Sequence, residues 1–220
     1  MKTYNRKAIE NEYDDASGFN MEYQKVKWGS NEKMYNRFKL ALHLIDFKKV
    51  DRWLDVGTGT GAFQSIICPL YPEIKVTGID ISSNLIDFAT KRNDFEHKNV
   101  EFSKQDFLEF RGERFDLITC IGVLQKTNMN LSAFFNHSYK KLNVEGYLFL
   151  DTKNIKWNKF KNPDFKPEES HQWFNPADLI REAKNSGFKE IEVNGFIPGK
   201  NKIVKQNDSH TIFIKAKKKS

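Results

Sequence analysis

Two apolar rhythms alternate along this chain. Short, nearly unbroken apolar runs suited to strands occur at Trp53–Val56, Lys75–Asp80, Val100–Phe102, within Arg114–Gln125 and at Tyr147–Asp151. Between them, apolar residues recur at helical spacing. Asn31–Phe47 carries Met34, Phe38, Leu42 and Ile45, and Asn84–Asn93 carries Leu85, Ile86 and Ala89 behind Ser82 or Ser83 as N-cap. Leu131–Leu142 carries Leu131, Phe134, Phe135 and Leu142, while a helix from Ala62 is stopped near Pro69. The run inside Arg114–Gln125 is apolar at almost every position, as a central parallel strand buried on both faces requires. Farther on, Asn175-Pro176 caps a helix over Ala177–Ser186 that Gly187 ends, and Phe188–Val193 and Thr211–Ala216 add two late strands. Strand and helix in alternation predict an α/β fold with a mostly parallel sheet of seven strands and helices on both faces.

The first strand runs directly into Gly57-Thr58-Gly59-Thr60-Gly61, three glycines at alternate positions before a helix. Glycine serves where a chain turns tightly, adopts φ > 0 or lets a ligand touch its backbone, so this stretch predicts a nucleotide-sized notch. The spacing is G-x-G-x-G, not the dinucleotide spacing G-x-G-x-x-G, and Asp55 precedes it within the strand. The second strand ends in Asp80, 19 residues beyond Gly61, where a carboxylate can accept hydrogen bonds from two ribose hydroxyls and would repel a phosphate on the same sugar. The third is followed by Asp106-Phe107, so acidic residues stand at the tips of successive strands.

Asp55-x-Gly57-x-Gly59-x-Gly61 with Asp80 resembles the first motifs of class I S-adenosylmethionine (SAM)-dependent methyltransferases, and the resemblance extends over about residues 35–190. It implies a Rossmann-like sheet with an antiparallel C-terminal edge hairpin, and SAM as cofactor with S-adenosylhomocysteine as product. It further implies that Asp106 meets the adenine amino group, with Phe107 supporting the ring; an Asp that merely caps the next turn is the alternative. Ile81 follows the ribose-binding Asp80, and Ile121 and Gly122 lie beside the methionine portion. Phe115-Asp116 and Gly187-Phe188 fit later blocks of the same family. Ubiquinone-biosynthesis O-methyltransferases place an arginine near the position of Arg37, where it meets the SAM carboxylate; an arginine with only a surface role is the alternative. Tyr13-Asp14 resembles the Tyr-Asp of N-terminal segments that fold over the cofactor, so residues 1–30 are expected to form a cap, or else a flap without a ligand role. Residues 31–220 then form the methyltransferase domain, with a polar and aromatic insertion at 152–174 covering the acceptor pocket. Where many relatives carry His-His or Glu-His, this chain has Gln125-Lys126, which removes an obvious base or metal ligand.

Methyl transfer is an in-line displacement in which positioning supplies much of the rate, and only a hydroxyl acceptor benefits from a base. His171 is the candidate base, with a histidine merely hydrogen-bonded near the helix start as the alternative. Tyr13, Trp28, Gln125 and Trp173 are candidate acceptor contacts. His137 reads as an ordinary helix residue and His210 as a surface residue at a strand start. No His/Asp/Glu set has metal-ligand spacing.

Composition narrows the classes further. A net charge of +7 keeps a nucleic-acid partner in view, but part of the excess lies in Lys215, Lys217, Lys218 and Lys219, and arginines are not interleaved with aromatics. No apolar run approaches the roughly 18 residues of a membrane span. Cys68 and Cys120 make neither a C-x-x-C pair nor a disulfide framework, which suits a reducing cytoplasm. The leading expectation is O- or N-methylation of a small-molecule metabolite by a monomer or homodimer. An RNA- or protein-modifying enzyme and a noncatalytic SAM-binding subunit are the alternatives.

Overall fold

The computed structural model describes residues 4–92 and 99–220. Its centre is an eight-stranded sheet made of β1 (Arg52–Val56), β2 (Lys75–Asp80), β3 (Val100–Lys104), β4 (Phe115–Cys120), β5 (Leu142–Lys153), β6 (Lys189–Ile197), β7 (Lys202–Val204) and β8 (Thr211–Lys217). Their order is β3-β2-β1-β4-β5-β8-β6-β7. The first five pair in parallel, and β8 pairs antiparallel with both β5 and β6. This is the expected mostly parallel Rossmann-like sheet with an antiparallel edge, with one strand added. β7 is three residues long and pairs only with β6, after the Pro198-Gly199 turn. So short and exposed a strand has no apolar alternation to announce it.

The helices are α1 (Arg6–Ala16), α2 (Glu22–Lys25), α3 (Asn31–Leu44), α4 (Ala62–Ile67), α5 (Ser83–Thr90), α6 (Leu124–Thr127), α7 (Leu131–Lys141) and α8 (Pro176–Asn185). Their starts follow local chemistry. Ser30, Ser82, Asn130 and Asn175 each accept a backbone N–H of the first turn, and Pro176 occupies a position whose N–H would be unpaired. Of the helix expected over Asn84–Asn93, Asn93 lies outside the described residues. β5 starts ahead of the apolar run Tyr147–Asp151, with a kink at Glu145 (φ 66°) and a register shift against β4.

Alternate strand residues feed two cores, one on each face of the sheet. Leu54, Ile118, Leu148 and Ile214 pack toward Phe134, Phe135 and Leu179 of α7 and α8. Trp53, Leu117, Phe149 and Phe213 pack toward Met34 and Phe38 of α3 and Phe63 of α4. A buried polar chain crosses this second core. Trp53 Nε1 donates to Thr119 Oγ1 at 2.7 Å, Thr119 donates to Asp55 Oδ1, and Asp55 Oδ2 accepts from Gln64 Nε2 at 2.7 Å. It ties β1, β4 and α4 together directly beneath the glycine turn. Strand order reverses between β1 and β4, so the loops leaving their C-terminal ends diverge and open a crevice there.

Thr119→Val keeps the side-chain shape but leaves the Trp53 N–H and one Asp55 oxygen without their partner. Urea unfolding is expected to show a loss of about 3 kcal/mol, since each unsatisfied buried polar group costs ~1–3 kcal/mol.

Candidate functional site

The crevice is shaped by backbone geometry. Gly57, Gly59 and Gly61 have φ of 72°, 56° and 75°, all left-handed, and Gly122 after β4 has φ of 81°. A Cβ on Gly57 would stand 2.2 Å from Val123 Cγ2, so the two loops approach at a distance that only glycine permits. Asp80 fixes the turn from the neighbouring strand: its Oδ2 accepts from Gly59 N and its Oδ1 from Ser82 N, each at 3.0 Å. Burial raises its pKa, while these backbone N–H groups favour the charged form. The carboxylate still has lone pairs free and forms part of the hollow's wall.

This hollow has about 650 Å³ of atom-free space, its mouth included. Ile81, Leu85, Phe107 and Met129 give it an apolar side, and Gly57, Gly59, Ile121 and Gly122 a backbone-rich one. A smaller recess behind the turn is bounded by Asp55, Thr58, Thr60 and Phe63. Such a combination fits an adenosine joined to an amino-acid tail: a flat apolar wall, a carboxylate at ribose distance and a glycine cradle.

The N-terminal segment closes over it. Tyr4, Ile9, Tyr13, Val26 and Trp28 line the hollow. Polar contacts hold the segment to several strand ends. Asp14 accepts from Ser82 Oγ and from Asn84 N at the start of α5, and Tyr4 donates to Asp106 at 2.6 Å. Glu22 accepts from Thr60 Oγ1 at 2.7 Å and pairs with Arg92, and Lys104 of β3 donates to Glu10 at 2.6 Å. Burial and the nearby Asp80 raise the Tyr13 pKa, which keeps the phenol protonated.

A second, larger cavity adjoins the first. With about 1410 Å³ of atom-free space, its mouth included, it shares Tyr13, Val26, Trp28, Gly122 and Lys126 with the nucleotide-sized hollow. Its far side is formed by Arg37, Gln125, Lys153, His171 and His210, and by the Pro198-Gly199 turn. Gln125 is buried, and its backbone oxygen accepts from Gln172 N at 2.8 Å, which pins the 152–174 insertion against the cavity.

The geometry brings together Gly57, Gly59, Asp80, Ile81, Phe107 and Ile121 around the hollow, and Tyr13, Trp28, Gln125 and His171 around the larger cavity. Asp55 and Gly61 lie behind this surface. Asp55 belongs to the buried polar chain, where burial lifts its carboxyl to about 6, and Gly61 opens α4. Four of the candidate residues take contacts other than those expected. Asp106 does not line the hollow: its Oδ1 caps the turn at Leu108 N, and its Oδ2 is taken by Tyr4, which lay outside any motif. The Arg37 guanidinium pairs with Asp151 at 2.8 Å and stacks 4.5 Å from the Trp28 ring, and it faces the larger cavity. Trp173 packs within the insertion, donating from Nε1 to Glu168 O at 2.9 Å and meeting Phe160 edge-on, and does not line the cavity. His171 lines the cavity but does not titrate near neutrality, because burial and the charges of Lys126 and Lys153 push it down to about 4.

His210 is the reverse case. Expected at the surface, it forms part of the cavity wall, 3.3 Å from Lys153 Nζ through Nδ1 and edge-on to Trp157. Burial and the charges of Lys153 and Arg37 bring it to about 4. Asp151, which also accepts from Gly122 N at 2.7 Å, was legible only as the acidic end of the fifth strand. His137 sits on α7 with its ring edge-on to Phe107, as an ordinary helix residue would. Among the described residues there is no His/Cys/Asp/Glu group able to hold a metal, and no helix long and apolar enough to cross a membrane.

Comparison with known proteins agrees with this geometry. Residues 30–193 match a family model described as a methyltransferase domain. A malonyl-[acyl-carrier protein] O-methyltransferase of Acetivibrio thermocellus is 29% identical over 138 residues, 58% of this chain and 48% of its own, so the chain spans about half the length of that relative. A ubiquinone biosynthesis O-methyltransferase of Coxiella burnetii is 26% identical over 176 residues, 73% of this chain and 74% of its own. The crystal structure of magnesium protoporphyrin IX methyltransferase from Synechocystis with bound SAH superposes with a TM-score of 0.70 at 16% identity, covering 96% of this chain and 99% of that one. This last likeness is one of fold.

Two outcomes test the site. Gly57→Ala combines a left-handed φ with a Cβ inside Val123. It is expected to cost at least about 2 kcal/mol in chemical denaturation, beyond the ~1–2 kcal/mol of a non-glycine residue in this region. Because the folded-state pKa of His210 is depressed, the unfolded chain takes up this proton first as pH falls. The contribution of His210 to stability is thus complete above about pH 6.5 and declines toward pH 4. His171 acts in the same sense, and Asp55, with its raised pKa, in the opposite one. His210→Asn should therefore lose on the order of 1 kcal/mol less stability than the parent between pH 7 and 5, after allowance for solvent screening, in paired urea titrations.

Proposed function

The chain belongs to the class I SAM-dependent methyltransferase family, and from that premise we propose that it methylates an oxygen or nitrogen atom of a small-molecule metabolite. The observation carrying this reading is the shared wall between the two cavities. Trp28 and Gly122 border both, so a donor in the glycine-cradled hollow and an acceptor in the larger cavity would meet without crossing solvent. A recessed cavity of this kind, open at its mouth, suits a small molecule better than a polymer, whose backbone needs an open track.

SAM supplies a sulfonium whose methyl group is open to in-line attack. Asp80 would hold the ribose hydroxyls, the Gly57–Gly61 turn the amino-acid tail, and Ile81, Leu85 and Phe107 the adenine faces. Asp106, held by Tyr4, keeps lone pairs that could receive the adenine amino group. Trp28 presents a π-face on the shared wall, suited to a sulfonium, and the Arg37 guanidinium already stacks on its ring. On the acceptor side the chain's work is positioning and water exclusion. His171 and His210 are both neutral and only weakly basic at pH 7, so an amine arriving uncharged needs nothing from them, and a hydroxyl would have one of them as its proton acceptor. The ubiquinone-biosynthesis relative, matched over most of both chains, supports a small-molecule acceptor.

SAM at about 100 times its Kd should stabilise the protein by about 2.7 kcal/mol, read as a rise in Tm. Asp80→Ala is expected to abolish that rise. Asp80→Asn, which retains an acceptor for one backbone N–H, should still fold but bind SAM at least about tenfold more weakly. Unchanged SAM affinity in both variants would overturn the ribose assignment.

A further inference from the structure

The larger cavity has an electrostatic imbalance that the residues around it do not resolve. Six cationic side chains line it, Lys27, Lys33, Arg37, Lys126, Lys153 and Lys200, against the single carboxylate of Glu168. Two of the six are matched elsewhere: Lys27 pairs with Glu12, and Arg37 with Asp151. Glu168 itself turns to His171 at 2.9 Å. Among the described residues, Lys33, Lys126, Lys153 and Lys200 have no carboxylate within ion-pair distance.

Lys153 is the most confined of the four. It stands at the end of β5, and its ammonium makes one hydrogen bond, to His210 Nδ1 at 3.3 Å, with the Trp173 ring 5.5 Å away. An ammonium has three donors, so two remain for a ligand. Uncompensated positive charge in a partly dehydrated cavity is costly, and an anion placed there relieves both the desolvation and the mutual repulsion. The proton affinities of the cavity's groups shift in the same sense. Burial brings Lys153 down to about 8, Arg37 and Lys126 also push it down, and Glu168 and Asp151 only partly oppose them. Lys126, His171 and His210 are depressed as well, with neighbouring cations contributing at each.

We propose that this cavity takes a methyl acceptor bearing an anionic group, a carboxylate or a phosphate, held by the Lys153 ammonium with Lys33, Lys126 and Lys200 supplying the surrounding positive field. The proposal rests on the reading of the cavity as the acceptor site. Its specificity is for charge: a neutral or cationic analogue of the same shape leaves the lysines uncompensated or adds to their repulsion. Lys153 is then a residue that determines specificity, and Asp151 keeps Arg37 in place.

The test uses four ligands of one shape, benzoate, phenyl phosphate, benzamide and benzylamine, titrated at fixed ionic strength into the full chain saturated with S-adenosylhomocysteine. Benzoate or phenyl phosphate should raise Tm while benzamide and benzylamine do not, and whichever anion acts identifies the acceptor's charged group as carboxylate or phosphate. Lys153→Met should weaken the active anion at least about tenfold, as expected when one partner of a confined charge pair is truncated. Lys153→Arg should restore most of the affinity, and Lys48→Met, at an exposed position away from the cavity, should change nothing. Affinity for S-adenosylhomocysteine by calorimetry should be the same in all three variants, which also reports that each is folded. Responses to both benzoate and phenyl phosphate no larger than that to benzamide, or undiminished anion affinity in Lys153→Met, would overturn the proposal while leaving cofactor binding intact. Failure of the parent to bind S-adenosylhomocysteine would instead remove the methyltransferase reading itself.

Discussion

A single hydrogen bond organises the site: the N–H of Gly59 donates to the carboxylate of Asp80 on the adjoining strand. It forms only because the turn after β1 runs through left-handed conformations at Gly57, Gly59 and Gly61, which aim a backbone N–H across the strand end instead of along it. Once that bond is made, the carboxylate is anchored with lone pairs to spare, the turn is held open, and α4 begins at a set angle. The Trp53–Thr119–Asp55–Gln64 chain supports the same turn from below. Its members come from β1, β4 and α4, so the floor of the hollow is rigid on three sides. Asp55 is thus an element of that floor, and burial, not ligand contact, governs its ionisation.

Over this floor lies a cap of different character. Segment 4–28 is held by polar contacts at Asp14, Glu22, Tyr4 and Glu10, with Ile9 and Ala16 as its buried apolar residues. Polar contacts in a partly hydrated setting exchange readily for contacts with water or ligand, whereas an apolar core does not. Tyr4 illustrates the point, since it holds the one Asp106 oxygen not engaged in capping its own turn. A nucleoside base entering on that side would meet both Tyr4 and the lone pair this oxygen keeps.

The larger cavity is built from distant pieces. Arg37 comes from α3, Lys153 from β5, His171 from the insertion and His210 from the residue before β8. Asp151 of β5 links them to the nucleotide-sized hollow, because its two oxygens receive Arg37 and the N–H of Gly122. A change of charge in the larger cavity therefore bears on a glycine that also borders the hollow.

Local pattern determined much of this protein. The strand–helix alternation, the caps at Ser82 and Asn175, the glycine turn and the acidic tips at Asp80 and Asp106 all depend on residues near one another in the chain, where spacing encodes geometry directly. The capture of Asp106 by Tyr4 and of Arg37 by Asp151 and the inward position of His210 beside Lys153 were decided by tertiary structure alone. These partners lie 102, 114 and 57 residues apart in the chain and are brought near by the order in which strands assemble. A side chain's protonation and orientation follow from who surrounds it, and His171, readable as a near-neutral base in isolation, is made a weak one by burial and by Lys126 and Lys153, which folding places at the same cavity.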